Sequence, residues 1–363
     1  MTNNFSSIQA QQRGMGIVEL MIGIVIALLG TLVVMQTFAV SEGYKRTTVS
    51  GNEAQQSGAV ALYTVERDVR QAGFGLGALL TLNCKIQGYD ETGAMTFPLT
   101  PDQWGPASIV NGAGAAPDQI RLNYASSDAI PFAAKLSSDY GGAAANIKVN
   151  NRYGFKEGDI VLVVDPTNLA TDCSLMQVTG VPGTPGGTDN IIHNSGMYTD
   201  AFGKKVPARF NPPGGLGIPY PSGSTVLNLG ALPEGKTYSV ANNSLWVADT
   251  FQPGAQSFAD NIVNLQAQYG RDTNGDGRID TWDENTVAAQ ADWTRVLALH
   301  VAIVARSTIR EKQIVTPGGS LTLWTNPVAS PAAPTHTLAG DDNYFRYKVY
   351  ETIIPLRSII WRE

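Results

Sequence analysis

The chain has 363 residues, 25 Lys and Arg against 31 Asp and Glu, and a net charge of −6. A weakly acidic chain with no run of five basic residues lacks the electrostatic footprint of a nucleic-acid binder. Its 38 Gly and 20 Pro, mostly beyond position 73, fit many short strands and long loops better than a helical bundle.

Residues 1–14 are a short polar leader ending in Gly14, and from Met15 an apolar run continues to about Val40. That run carries one acid, Glu19, close to its start. A carboxylate in a membrane helix costs roughly 2.5–3.5 kcal/mol on insertion scales, so it signals function and needs a partner. No cation lies within a turn of Glu19 in the intact chain. A cut after Gly14 would create one, the α-amino group of Met15, acting in cis or from a neighbouring copy. Two plainer readings compete. A secretory signal would be cut after its apolar core, near Thr37-Phe38-Ala39. A plain anchor needs about 20 apolar residues, which Leu20–Met35 does not reach, and it leaves Glu19 without a role. Arg13 on one flank and Lys45-Arg46 on the other orient the segment only weakly.

Ser41 to Gly51 reads as a polar hinge, and Ser50-Gly51-Asn52-Glu53 has the form of a capping box. Leu62, Val65, Val69 and Ala72 then recur at helical spacing, with Glu66, Arg67, Asp68 and Arg70 between them. An amphipathic helix is predicted over Asn52–Ala72, its apolar stripe against a sheet. Gly73-Phe74-Gly75-Leu76-Gly77 ends it as a C-cap and turn. The segment follows a helix instead of a strand, so it is not a phosphate loop.

Strand patterns fill the remainder. Ile120, Leu122 and Tyr124 alternate, and Gly158–Asp165 is a β-branched run bounded by turn residues. Thr179–Asn190 and Asn211–Gly223 are long Gly/Pro-rich loops. Ser224–Leu229 and Thr237–Val240 read as strands, and Asn242-Asn243 as a hairpin turn leading to Leu245-Trp246-Val247. Ile262–Tyr269 is expected to place Val263, Leu265, Ala267 and Tyr269 on one face. Arg295–Arg306 is the clearest strand, and Tyr347–Trp361 reads as a final strand pair interrupted by Pro355. Cys84 and Cys173, if exported, would meet an oxidising compartment. They are either a disulfide or two independent buried thiols.

Asp272-Thr273-Asn274-Gly275-Asp276-Gly277-Arg278-Ile279-Asp280 fits the start of a calcium loop. The template assigns side-chain oxygens to Asp272, Asn274 and Asp276, a carbonyl to Arg278 and a further ligand to Asp280. Asp283 stands at the twelfth position, where Glu is usual; Glu284 is the alternative. Crowded aspartates favour a cation, but the same residues also favour a plain hairpin turn. The three histidines, His193, His300 and His336, show no metal spacing. No nucleophile elbow is present, and the chain is not expected to be an enzyme.

Gly14, Met15 and Glu19 with the apolar run resemble the type III signal of type IV prepilins and type II secretion pseudopilins. The segments Glu66-Arg67-Asp68-Val69-Arg70-Gln71-Ala72-Gly73-Phe74 and Pro355-Leu356-Arg357-Ser358-Ile359-Ile360-Trp361 resemble the two ends of PilW-type minor pilins, with Ser358 where Asn is more usual. The resemblance implies an α+β, pilin-like fold: a long N-terminal helix packed on an antiparallel β-sheet domain with long loops. It divides the chain into a leader (1–14), a membrane and filament-core helix (15–40), an amphipathic helix half (41–75) and an extracytoplasmic β domain (76–363). It implies cleavage by a prepilin peptidase after Gly14, N-methylation of Met15, and pairing of Glu19 with the terminal amine of an adjacent subunit. The implied partners are other minor pilins, the major pilin and the inner-membrane assembly platform. The implied location is the inner membrane, single-pass, and then the pilus. Twitching motility and adhesion are the associated processes. The rival readings are a J-type pseudopilin, a calcium-dependent adhesin delivered by a pilin signal, and a membrane-tethered enzyme.

Overall fold

The computed structural model describes residues 14, 16–76, 84–126, 133–168, 170–183, 189–252, 254–287, 290–325 and 333–360. Met15, the leader up to Arg13, Gly77 and Trp361 lie outside the described residues. Helix α1 (Ile17–Gln71) precedes β1 (Ile86–Gln87), the helical turn α2 (Pro101–Trp104), β2 (Ala107–Val110), β3 (Gln119–Tyr124), β4 (Ala133–Lys135), β5 (Asn146–Val149), β6 (Ile160–Val164), β7 (Cys173–Gln177) and β8 (Asp189–Ile192). Then come β9 (Met197–Thr199), β10 (Lys205–Pro207), β11 (Thr225–Gly230), β12 (Glu234–Ala241), β13 (Ser244–Asp249), β14 (Ala255–Asp260), β15 (Ile262–Arg271) and β16 (Thr281–Asp283). The chain closes with α3 (Gln290–Trp293), β17 (Val296–Arg306), β18 (Ser320–Thr322), β19 (Thr335–Thr337), β20 (Tyr347–Pro355) and the turn α4 (Arg357–Ile360).

Two compact units result, Met1–Ser50 and Gly51–Glu363. In the first, residues 16–46 are all exposed. The most apolar 18-residue window there has mean hydropathy 2.7, so this helix is long and apolar enough to cross a membrane. The predicted hinge is absent: Ser41–Gly51 is helical, and the Ser50 capping box lies inside the helix. Gly43 and Gly51 each cost about 1 kcal/mol relative to Ala but keep their N–H donors, and no proline removes one.

In the second unit, Ala54, Ala61, Val65 and Val69 of α1, with Ala72 just after it, enter a core shared by two sheets. One sheet runs β14-β13-β12-β3-β2 and the other β16-β15-β17-β20. Ile120, Leu122, Tyr238 and Leu245 come from the first, Leu265, Val301, Ile303 and Ile354 from the second. Asn242 and Asn243 both have positive φ (51° and 57°), which makes the two-residue turn joining β12 to β13. The expected face of β15 is corrected at one residue. A register shift between Ile262 and Asn264 moves Val263 to the opposite face, and Ile262 takes its place in the core. The expected C-terminal strand pair is also corrected. β20 is a single edge strand that ends at Pro355, where the missing N–H cannot extend a ladder, and a helical turn follows.

A third sheet, β1-β7-β6-β11-β4, carries its own core on each face. Every residue of β6 is buried, which explains its unbroken apolar run. Cys84 and Cys173 form a disulfide with Cα atoms 5.6 Å apart, and beside it β1 pairs in parallel with β7. The loop Asn211–Gly223 is anchored: the Asn211 side chain donates to the carbonyls of Gln177 (2.7 Å) and Asn194 (2.8 Å), and Tyr220 is buried.

Candidate assembly site

Glu19 lies in the first turn of α1, where the helix dipole favours a negative charge, and it is exposed. Gly14 is likewise exposed. The apolar side chains that follow find no protein partner within their own unit: Ile17 is 80% exposed and Phe38 71%. Such a surface in water is unfavourable at about 25 cal/mol per Å², so it requires lipid or other helices.

The far end of α1 is a different site. Asp68 falls one residue from the apolar stripe, and the sequence placed it on the polar face with Glu66, Arg67 and Arg70. The structure buries it. Its carboxylate accepts hydrogen bonds from the Tyr238 hydroxyl (2.6 Å) and Lys236 Nζ (3.1 Å) of β12, and from the neighbouring Arg67 Nε (3.0 Å). Burial works against the Lys236 ammonium, but hydrogen bonds to Tyr124 and Asp68 outweigh it and hold its pKa above the usual value. Burial and the adjacent Asp68 carboxylate both push the Tyr238 hydroxyl up, so it stays a donor. Arg70 pairs with Glu66 one turn earlier at 2.5 Å.

The helix terminus itself is clamped by chain from both directions. Gly73 has φ 80°, and its N–H donates to the Asn123 carbonyl (2.8 Å). A Cβ at Gly73 would run into Ser358, whose hydroxyl donates to the Ala72 carbonyl (2.7 Å). The two segments on which the family resemblance rests therefore touch each other. Farther back on the helix, Gly58 leaves room for the ring of Tyr350, and the Tyr350 hydroxyl donates to the Gln55 carbonyl (2.9 Å). Charge alone reads Asp68 as surface; the signal against that is its spacing, three residues after Val65 and four before Ala72.

The Asp-rich loop joins β15 to β16. Asp272 accepts from the amides of Gly275 (2.6 Å), Gly277 (2.8 Å) and Asp276 (3.2 Å). Asn274 Oδ1 accepts from the Asp276 amide, and Asp276 Oδ1 from the Arg278 amide. Burial alone would raise the Asp272 carboxyl, but these amides outweigh it and hold it below the usual carboxylate range. Asp280 turns onto Thr273, accepting from its amide (2.9 Å) and hydroxyl (2.8 Å). Asp283 pairs with Arg271 at 2.9 Å, and Glu284 accepts from Gln268 at 3.1 Å. The loop thus gathers Asp272, Asn274 and Asp276 in one turn and directs Asp280, Asp283 and Glu284 to other partners. Among the described residues no three His, Cys, Asp or Glu converge as a metal site.

A long helix, apolar in its first part, whose second part packs on antiparallel sheets defines the class as α+β. Residues 237–358, from β12 to the final turn, match the family described as PilW, type IV pilus-assembly protein W. The match spans less than half of the chain, and over those residues the chain is similar to a type IV pilus-assembly family. The chain is also similar to a type IV-like pilin from Thermus thermophilus, at 16% identity over 36% of this chain and 70% of that one, with a TM-score of 0.25. No curated protein matches.

Proposed function

We propose that this chain is a minor pilin that takes part in type IV pilus assembly within a priming or tip complex. The observation that carries this reading is the PilW match over residues 237–358. Those residues include β12, β15, β17 and β20, which share a core with the second part of α1. The apolar, exposed first part of the same helix supports it. A prepilin peptidase cuts after Gly14 and methylates Met15; Glu19 then pairs with the new amine of an adjacent subunit. The partners are other minor pilins, the major pilin and the inner-membrane platform, with the β domain on the periplasmic side before assembly. The role is structural, with no catalytic step.

The test is the mass of the N-terminal peptide from membranes of the native host. It is expected to begin at N-methylated Met15. A peptide beginning at Met1, or near Val40, rejects the reading in favour of a plain anchor or a secreted protein. Deleting the gene should abolish piliation and twitching; lost exoprotein secretion with normal pili would point instead to a J-type pseudopilin. We also propose that the loop from Asp272 to Asp283 binds calcium, with Asp272, Asn274 and Asp276 as its nucleus. Millimolar calcium should then raise the melting temperature and a chelator lower it; no change in either direction rejects the site.

A further inference from the structure

We propose that the β9–β10 hairpin is a docking prong whose Phe202 enters an apolar pocket rimmed by carboxylates on a partner protein. Phe202 at its tip is 95% exposed, and Met197 at its base 53%. A lone exposed apolar residue is ordinary, but the backbone that carries this one is held in place. Asp200 Oδ1 accepts from the amides of Phe202 (2.9 Å) and Lys204 (2.8 Å), its own amide donates to the Lys204 carbonyl (2.9 Å), and the Gly203 amide donates to the Asp200 carbonyl (3.0 Å). Gly203 adopts φ 78°, the left-handed turn that such a tip requires.

The base of the hairpin is equally fixed. The Thr199 amide donates to Glu157 (2.7 Å), the Ala208 amide donates to the Gly196 carbonyl (2.8 Å), and the Tyr198 ring packs against Gly158, where a Cβ would not fit. The backbone that carries the aromatic is therefore ordered before docking, and part of the ordering cost is met by the fold. A fluid bilayer gains nothing from an ordered backbone, whereas a shaped protein pocket does. Charge specifies the rim. Lys204 and Lys205 follow the tip in a chain of net −6, and no carboxylate among the described residues forms an ion pair with either. Asp200, the acid of the turn, has its Oδ1 occupied by backbone amides. An aromatic anchor flanked by two cations fits an apolar pocket bordered by Asp or Glu.

The experiment replaces Phe202 by photoreactive p-benzoylphenylalanine in the full chain, in the native host. One discrete protein adduct is expected. Its crosslinked peptide should carry apolar residues beside Asp or Glu, and its yield should fall about tenfold or more when Lys204→Glu and Lys205→Glu are combined. Crosslinks to lipid, an adduct indifferent to the charge reversal, or no adduct would each overturn the proposal. These positions are on the surface, and an unchanged melting temperature verifies folding. The N-terminal peptide from the same membranes reads the prepilin assignment separately, so the two can fail independently.

Discussion

Asp68→Ala removes a carboxylate that three side chains share. The Tyr238 hydroxyl, in a residue 1% exposed, loses its acceptor, which costs about 1–3 kcal/mol. Lys236, with its side chain 22% exposed, loses a partner at 3.1 Å. Breaking a fully buried pair costs about 3–5 kcal/mol; residual exposure and Glu234 at 3.5 Å reduce this to about 1–2. Arg67, half exposed, contributes little. The expected loss is about 2–5 kcal/mol, and Asp68→Asn, which keeps an acceptor without the charge, should lose about half of that. Urea unfolding of the full chain in mild detergent, followed by tryptophan fluorescence, reads both values. Lys236→Met combined with Asp68→Ala should show a coupling of about 1–2 kcal/mol. A loss under 1 kcal/mol for Asp68→Ala, or strict additivity in the cycle, would refute the clamp.

Replacing Cys84 and Cys173 by Ser should cost about 4–5 kcal/mol in the chain-entropy treatment of a loop of separation 89, measured by the same unfolding; a loss below about 1 kcal/mol would show that the cross-link constrains little. Gly58→Ala should destabilise by about 1–2 kcal/mol, since crowding of the Tyr350 ring outweighs the gain in helix propensity, and the loss should shrink in a Tyr350→Ala background, where Ala305 Cβ at 3.0 Å is the contact that remains. Two buried groups oppose each other in acid. Burial raises Asp118 to about 6, so between about pH 6 and 4 the folded state binds a proton that the unfolded state does not, and stability rises as pH falls. Burial lowers His193 to about 4, so below about pH 6.5 the unfolded state takes the proton first and stability falls. His193→Gln should therefore convert a nearly flat acid profile into one that gains stability from pH 6 to 4; identical slopes in the two proteins would refute the His193 assignment, and a variant profile that stays flat would refute that of Asp118.

Local pattern determined much of this protein. The apolar run with Glu19 at its head, the buried stripe of Val65, Val69 and Ala72, the Asn242-Asn243 turn and the fully buried β6 each follow from side-chain spacing and turn chemistry over a few residues. The resemblance to the PilW family was also legible, because its motifs are contiguous. Tertiary structure alone decided the rest. A bulge in β15 exchanges Val263 for Ile262 in the core, and that depends on pairing with β17 more than thirty residues later. Asp68 meets Tyr238 across 170 positions, and Ala72 meets Ser358 across 286. Periodicity reports which way a side chain faces; it carries no record of what the topology places opposite. A buried carboxylate beside an apolar stripe therefore reads as surface until the strand that satisfies it is in position.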